Sequence, residues 1–126
     1  MNKFGFLTVA LVCVSAPAVS APGDMKISTF LQKADALQAK GILALASSDI
    51  KILKAEGQAA GESYRTRLKS DKMNNVAPHS CPPPKSALKS NELLAHFRSY
   101  TMAQRQQMSV RTGLADMMKK RYPCKT

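Results

Sequence analysis

Two cysteines, two histidines and a group of methionines are the residues in this sequence whose types and spacing could do chemistry. Cys81 stands in "HSCPPPKSALKS", residues 79 to 90, and Cys124 in "RYPCKT", each beside a proline. A thiol near an imidazole could act as a nucleophile or a metal ligand. His79, however, is separated from Cys81 by one residue only, and there is no Cys-x-x-Cys pair of the kind redox and zinc sites use. His79 and His96 are the only histidines, which rules out a three-histidine metal site. Met102, Met108, Met117 and Met118 with a histidine could hold Cu(I) through soft thioethers. Met117 and Met118 fall on an apolar helical stripe, however, where methionine serves as core filler. The carboxylates Asp35, Asp49, Glu56, Glu62, Asp71, Glu92 and Asp116 are scattered. Glu62 with Arg65, and Asp116 with Lys120, have the spacing of helix-surface ion pairs. With no paired acids and no nucleophile beside a base, the expectation is a chain that works by binding, without catalysis, metal or cofactor.

The N-terminal "MNKFGFLTVALVCVSAPAVSAPGD" has one early charge at Lys3, about a dozen apolar residues and then small ones. This is the layout of a secretory signal peptide, expected over residues 1–20, with cleavage after Ser20 and small residues at Ala18 and Ser20. Cys13 lies within the apolar run and follows Val12, which does not fit a lipid-attachment site. Residues 21–126 are then expected to form one exported domain, in the bacterial periplasm. Exported compartments oxidise thiols. The two cysteines beyond the leader allow one intramolecular pairing, Cys81 with Cys124.

The leader holds one of the 19 basic residues, Lys3, so the exported part carries 18 against 8 acids, a net charge of +10. From Lys85 onward the basic residues face only Glu92 and Asp116. Such a charge favours an anionic partner, or simply keeps a small exported protein in solution. Nucleic acid is not expected, because aromatics are few and no reader motif occurs.

The fold class expected is all-α, a small bundle of four main helices with a long proline-rich loop and one disulfide. The first helix is expected to begin near Thr29, with Gln32 reaching back to it, and to stop at Gly41. "ILALASSD" then reads as a short turn packed on the core, with Ser47, Ser48 and Asp49 available to cap the next helix. That long second helix, over 49–72, has Ile50, Leu53, Gly57, Ala60, Tyr64 and Leu68 as its stripe. Gly57 and Gly61 imply close packing, since glycine is costly inside a helix. Residues 73–89 lack helical periodicity and contain four prolines. Pro82 to Pro84 favour a stiff extended segment. A third helix starts after Ser90 with Leu93, Leu94, Phe97 and Tyr100 inward. After the polar connection "TMAQRQQ", a fourth runs from Met108 to Arg121 with Val110, Leu114, Met117 and Met118 inward. Long ordered loops are often functional. The partner-binding residues expected are Asn74, Asn75, His79 and Lys85.

"GQAAGESY" on the second helix, "CPPP" before the third and the closing "MMKKRYPC" resemble the Rap/Tai immunity proteins. The resemblance runs from about Met25 to Cys124. It implies a small periplasmic helical protein, a homodimer, that protects bacteria from a peptidoglycan amidase effector delivered by type VI secretion. It implies inhibition by a loop inserted into the amidase cleft. The alternative from charge is a cationic envelope protein that docks on anionic lipid or wall polymer through Lys85 to Lys125.

Overall fold

A computed structural model describes residues 20–125. The expected leader lies outside the described residues except for Ser20. The described chain is all-α: α1 (Ile27–Lys40), a 3-10 helix (Gly41–Ala46), α2 (Ser48–Met73), α3 (Ser90–Arg98), α4 (Met102–Gln107) and α5 (Val110–Arg121). The four long helices are those the periodicity predicts. The fifth, α4, lies within the polar "TMAQRQQ" connection. The Thr101 hydroxyl accepts from the Gln104 N–H at 3.2 Å, and the Gln104 amide oxygen accepts from the Thr101 N–H at 2.9 Å. That reciprocal cap supplies a start where no apolar stripe exists.

Helix α1 begins two residues before Thr29, with Lys26 rather than Thr29 at its cap. Tertiary pairing sets this start. The Ile27 N–H donates to the Met108 carbonyl at 3.0 Å and the Val110 N–H to Met25 at 2.8 Å. The two strands of chain meet in an antiparallel bridge between Lys26 and Ser109. Gly41 ends α1 at φ +56°, in the left-handed region that glycine enters freely. The 3-10 helix then leaves Ile42, Leu43 and Leu45 facing outward with only Ala44 buried, so this run does not pack on the core as expected. Ser47 caps α2 through the Asp49 N–H. Ser90 is the first helical residue of α3 rather than its cap, and the Lys89 N–H is met by the Glu92 carboxylate at 3.1 Å. Ser109 caps α5 through the Thr112 N–H, so α5 starts two residues later than expected.

The core forms where α1, α3 and α5 close on α2. Phe30 meets Phe97 edge to face at 5.6 Å, with Ile27, Phe97 and Val110 wholly buried. Val110, Leu114, Met117 and Met118 all point inward as the α5 stripe predicts. In α2 the predicted Ala60 and Tyr64 are buried and Leu53 and Leu68 pack against the core, but Glu56 rather than Gly57 is the buried residue one turn before Ala60. Gly57 is therefore not at a close contact; a Cβ there would meet nothing within 4 Å. The crowded glycine is Gly113 on α5. A Cβ there would lie 2.7 Å from both Ile27 Cδ1 and Phe97 Cε1. The Asp116–Lys120 pair forms at 3.0 Å, whereas Glu62 forms no ion pair with Arg65.

These two glycines give opposite expected outcomes for the same substitution. Gly113→Ala forces two fully buried side chains apart and should cost about 1–3 kcal/mol. Gly57→Ala gains helix propensity in open space and should stabilise by about 0.5–1 kcal/mol. Urea unfolding followed by circular dichroism measures both, and equal effects at the two positions would contradict the packing described.

Candidate functional site

The loop between α2 and α3 carries Cys81 and all four residues expected to bind a partner. Cys81 and Cys124 form a disulfide, with S–S 2.08 Å and Cα–Cα 4.9 Å, 43 residues apart in the chain. A closed loop of that length lowers the entropy of the unfolded chain by the equivalent of about 4 kcal/mol in the loop-closure model. The Cys81 N–H also donates to the Tyr122 carbonyl at 2.8 Å. Ser80, beside it, is 1% exposed, and its hydroxyl is hydrogen-bonded to the Tyr64 hydroxyl in the core. The loop is thus pinned at its centre by a covalent bond, a backbone bond and a buried hydroxyl pair.

The four expected contact residues do not form one cluster. Asn74 and Asn75 terminate α2. Asn75 takes φ +54°, a conformation asparagine tolerates better than most residues. Its N–H donates to Lys72, and the Val76 N–H donates back to Asp71 at 2.9 Å, the paired bonds of a Schellman stop. Both asparagines are exposed, and so are Met73 and Val76 on either side of them. His79 is half-buried, its ring edge-on to Tyr64 at 6.3 Å and its N–H donating to the Asp71 carboxylate at 3.3 Å. Lys85 is exposed on the far side of the clamp, in a turn closed by the Ser86 N–H on the Pro83 carbonyl.

The pinned loop separates two concavities that share Tyr64. Ser86 to Ser90 form one wall of an open groove of about 890 Å³. Phe30, Leu37, Leu53, Leu93 and Leu94 line it, and Gly57 and Gly61 form part of its α2 side. The charged residues at this groove are Lys54, Arg65 and Lys89. On the other side His79, Arg67, Arg111, Asp116 and Lys119 surround a smaller hollow of about 390 Å³.

Electrostatics follow from these positions. Burial pushes the His79 imidazole pKa down, and Arg67 and Lys119 push it further, against Asp71 and Asp116. His96 is likewise lowered, by burial and then by Lys120. Its Nε2 lies 3.4 Å from Asp116 Oδ2, a contact that becomes an ion pair only on protonation. The Tyr100 hydroxyl donates its one proton to Asp116, so neutral His96 donates from Nε2 to the Tyr100 oxygen at 2.8 Å. Burial and then Asp116 raise the Tyr100 pKa. Burial alone would raise Asp116, but hydrogen bonds from Tyr100 and Lys120 outweigh it and hold the carboxyl low.

Sequence reading missed two structural polar groups. Glu56 is 6% exposed and accepts the N–H groups of Gly23 at 2.6 Å and Met25 at 3.3 Å, tying the segment before α1 to α2. A carboxylate four residues before Ala60 and eight before Tyr64 was the available signal. Arg111 holds the same segment, through the Pro22 carbonyl at 3.3 Å and Asp24 at 3.4 Å. No protein family, curated protein or solved structure matches the chain significantly.

The two histidines set a pH dependence. Both take up protons more readily in the unfolded chain, where the pKa is about 6.5, than in the fold. Unfolding therefore consumes protons, and stability falls as pH drops through 6.5 toward the lower folded values. Asp116 and Glu92 are held low and contribute stability that is lost only in a more acidic window. The urea midpoint should be lower at pH 5.5 than at pH 7.5, and the double variant His79→Gln with His96→Gln should flatten that difference. An unchanged slope in the variant would assign the effect elsewhere.

Proposed function

We propose that this chain is a non-enzymatic binding protein of the bacterial periplasm, akin to the Rap/Tai immunity proteins, that neutralises a type VI secreted peptidoglycan amidase by covering its active-site cleft. The observation that carries this reading is the pinned α2–α3 loop. Held at Ser80 and Cys81, it loses little conformational freedom on binding, which is the main entropic cost of inserting a flexible segment into a cleft. Met73 and Val76, 78% and 57% exposed, flank Asn74 and Asn75. That mixture of apolar and amide side chains on a fixed backbone suits a protein contact surface.

Charge supports the alternative less well. Of the basic residues from Lys85 to Lys125, Arg98, Arg111, Lys120 and Arg121 are ion-paired with Asp35, Asp24, Asp116 and Glu92. Arg105 donates to the Tyr100 and Arg98 carbonyls. Much of this basic stretch is therefore engaged within the fold rather than offered to an anionic surface.

A periplasmic pull-down with the full chain, followed by a peptidoglycan amidase assay, tests the proposal. An amidase should be captured and inhibited, and the complex should persist from low to physiological salt. Met73→Asp with Val76→Asp should weaken inhibition by roughly 100-fold, about 2.7 kcal/mol, at unchanged thermal stability. Failure to capture an amidase, or inhibition untouched by both changes, would overturn it.

A further inference from the structure

The corner joining α1 to α2 exposes three large aliphatic side chains in succession. Ile42, Leu43 and Leu45 are 82%, 74% and 77% exposed, and Ile50 and Ile52 at the start of α2 extend the apolar surface at 37% and 40%. Isolated exposed aliphatics are ordinary, but a cluster at a protruding turn marks a surface that meets something apolar.

Charge around the corner selects the occupant. Lys40 precedes the 3-10 helix, and Lys51 and Lys54 lie within the first two turns of α2; all three are exposed. Asp49 is the only acid between residues 36 and 55, and Lys33 neutralises it at 2.7 Å. The apolar tip is therefore flanked along the chain by three exposed lysines that form no ion pair among the described residues. A second copy packed on this tip by two-fold symmetry would bring the same lysines face to face. An anionic bilayer offers the complement: a headgroup layer rich in phosphates above an apolar boundary.

We propose that the Gly41–Ala46 corner docks on the surface of an anionic phospholipid bilayer, with Ile42, Leu43 and Leu45 entering the headgroup–acyl boundary and Lys40, Lys51 and Lys54 meeting lipid phosphates. The attachment is peripheral; no helix among the described residues is long and apolar enough to cross a membrane. Lysine stems suit this role, because their methylenes lie along apolar surface while the ammonium stays at the phosphate level. The Ile42 to Leu45 tip is distinct from the Met73 to Val76 segment proposed to meet an amidase, although Ile50 and Lys54 at its edge also line the groove walled by Ser86 to Ser90.

Co-sedimentation of the full chain with phosphatidylglycerol vesicles, compared with phosphatidylcholine vesicles, tests this. Wild type should favour phosphatidylglycerol. The triple variant Ile42→Ser, Leu43→Ser, Leu45→Ser and the triple variant Lys40→Gln, Lys51→Gln, Lys54→Gln should each bind roughly tenfold more weakly. Because these side chains are exposed, both variants should keep the wild-type circular dichroism and thermal midpoint. Equal vesicle binding by wild type and both variants would overturn the proposal, as would no vesicle binding at all. A wild-type dimer that the serine variant turns into a monomer would also overturn it, by assigning the tip to a second copy.

Discussion

The Cys81–Cys124 bridge ties the middle of the α2–α3 loop to the residues just beyond α5. Helices α2 and α5 already form the most extensive pair in the fold. The bridge converts the loop that leaves one of them into an attachment to the end of the other. Without it, the chain from Asn74 to Lys89 would have little reason to hold a single course, because it contributes few buried apolar side chains of its own. With it, the Cys81 N–H finds the Tyr122 carbonyl, and Ser80 settles onto the Tyr64 hydroxyl. The hydroxyl pair then places His79 against Tyr64, and a turn at Pro84 and Lys85, in place of the expected extended run of prolines, leads into the wall of the groove.

The same constraint divides the molecule's surface. On one side of the clamp the loop continues the end of α2 and presents Met73, Asn74, Asn75 and Val76. On the other it closes the apolar groove beside Gly57 and Gly61. The cationic hollow at His79 lies between α2 and α5, the two helices that the clamp holds to the loop. The lipid-facing corner proposed at Ile42 to Leu45 stands apart, at the α1–α2 junction. A chain with its loop directed at a protein partner and a separate tip directed at the bilayer would hold that loop near the membrane surface.

The apolar stripes of α1, α3 and α5 were legible because each repeats at helical spacing over two or more turns, and Leu93, Phe97, Leu114 and Met117 lie where that spacing puts them. The disulfide followed from counting the cysteines beyond the expected leader, in a chain expected to be exported. What escaped depends on contacts between distant residues. Nothing local distinguishes Gly57 from Gly113; only the arrival of Ile27 and Phe97 makes one crowded and leaves the other open. The start of α1 moved to Ile27 because Met108 supplies a carbonyl there, a partner far along the chain and invisible to a capping pattern. Helix α4 is too short to show a stripe, and its signal was confined to Thr101 and Gln104. At the candidate site, loop length and proline content located the segment, but they could not say that Asn75 serves the helix stop or that His79 turns inward.

Hydrogen exchange at the amides of residues 76–89, in the oxidised protein and in the Cys81→Ser, Cys124→Ser variant, tests the central claim that the bridge orders the loop. In the oxidised protein the Cys81 amide should be protected well above those of Lys85 to Ala87. In the variant that protection should collapse, along with that of the loop around it, while α2 and α5 stay protected under native conditions. Exchange of the Cys81 amide in the oxidised protein as fast as that of position 81 in the variant would contradict the account.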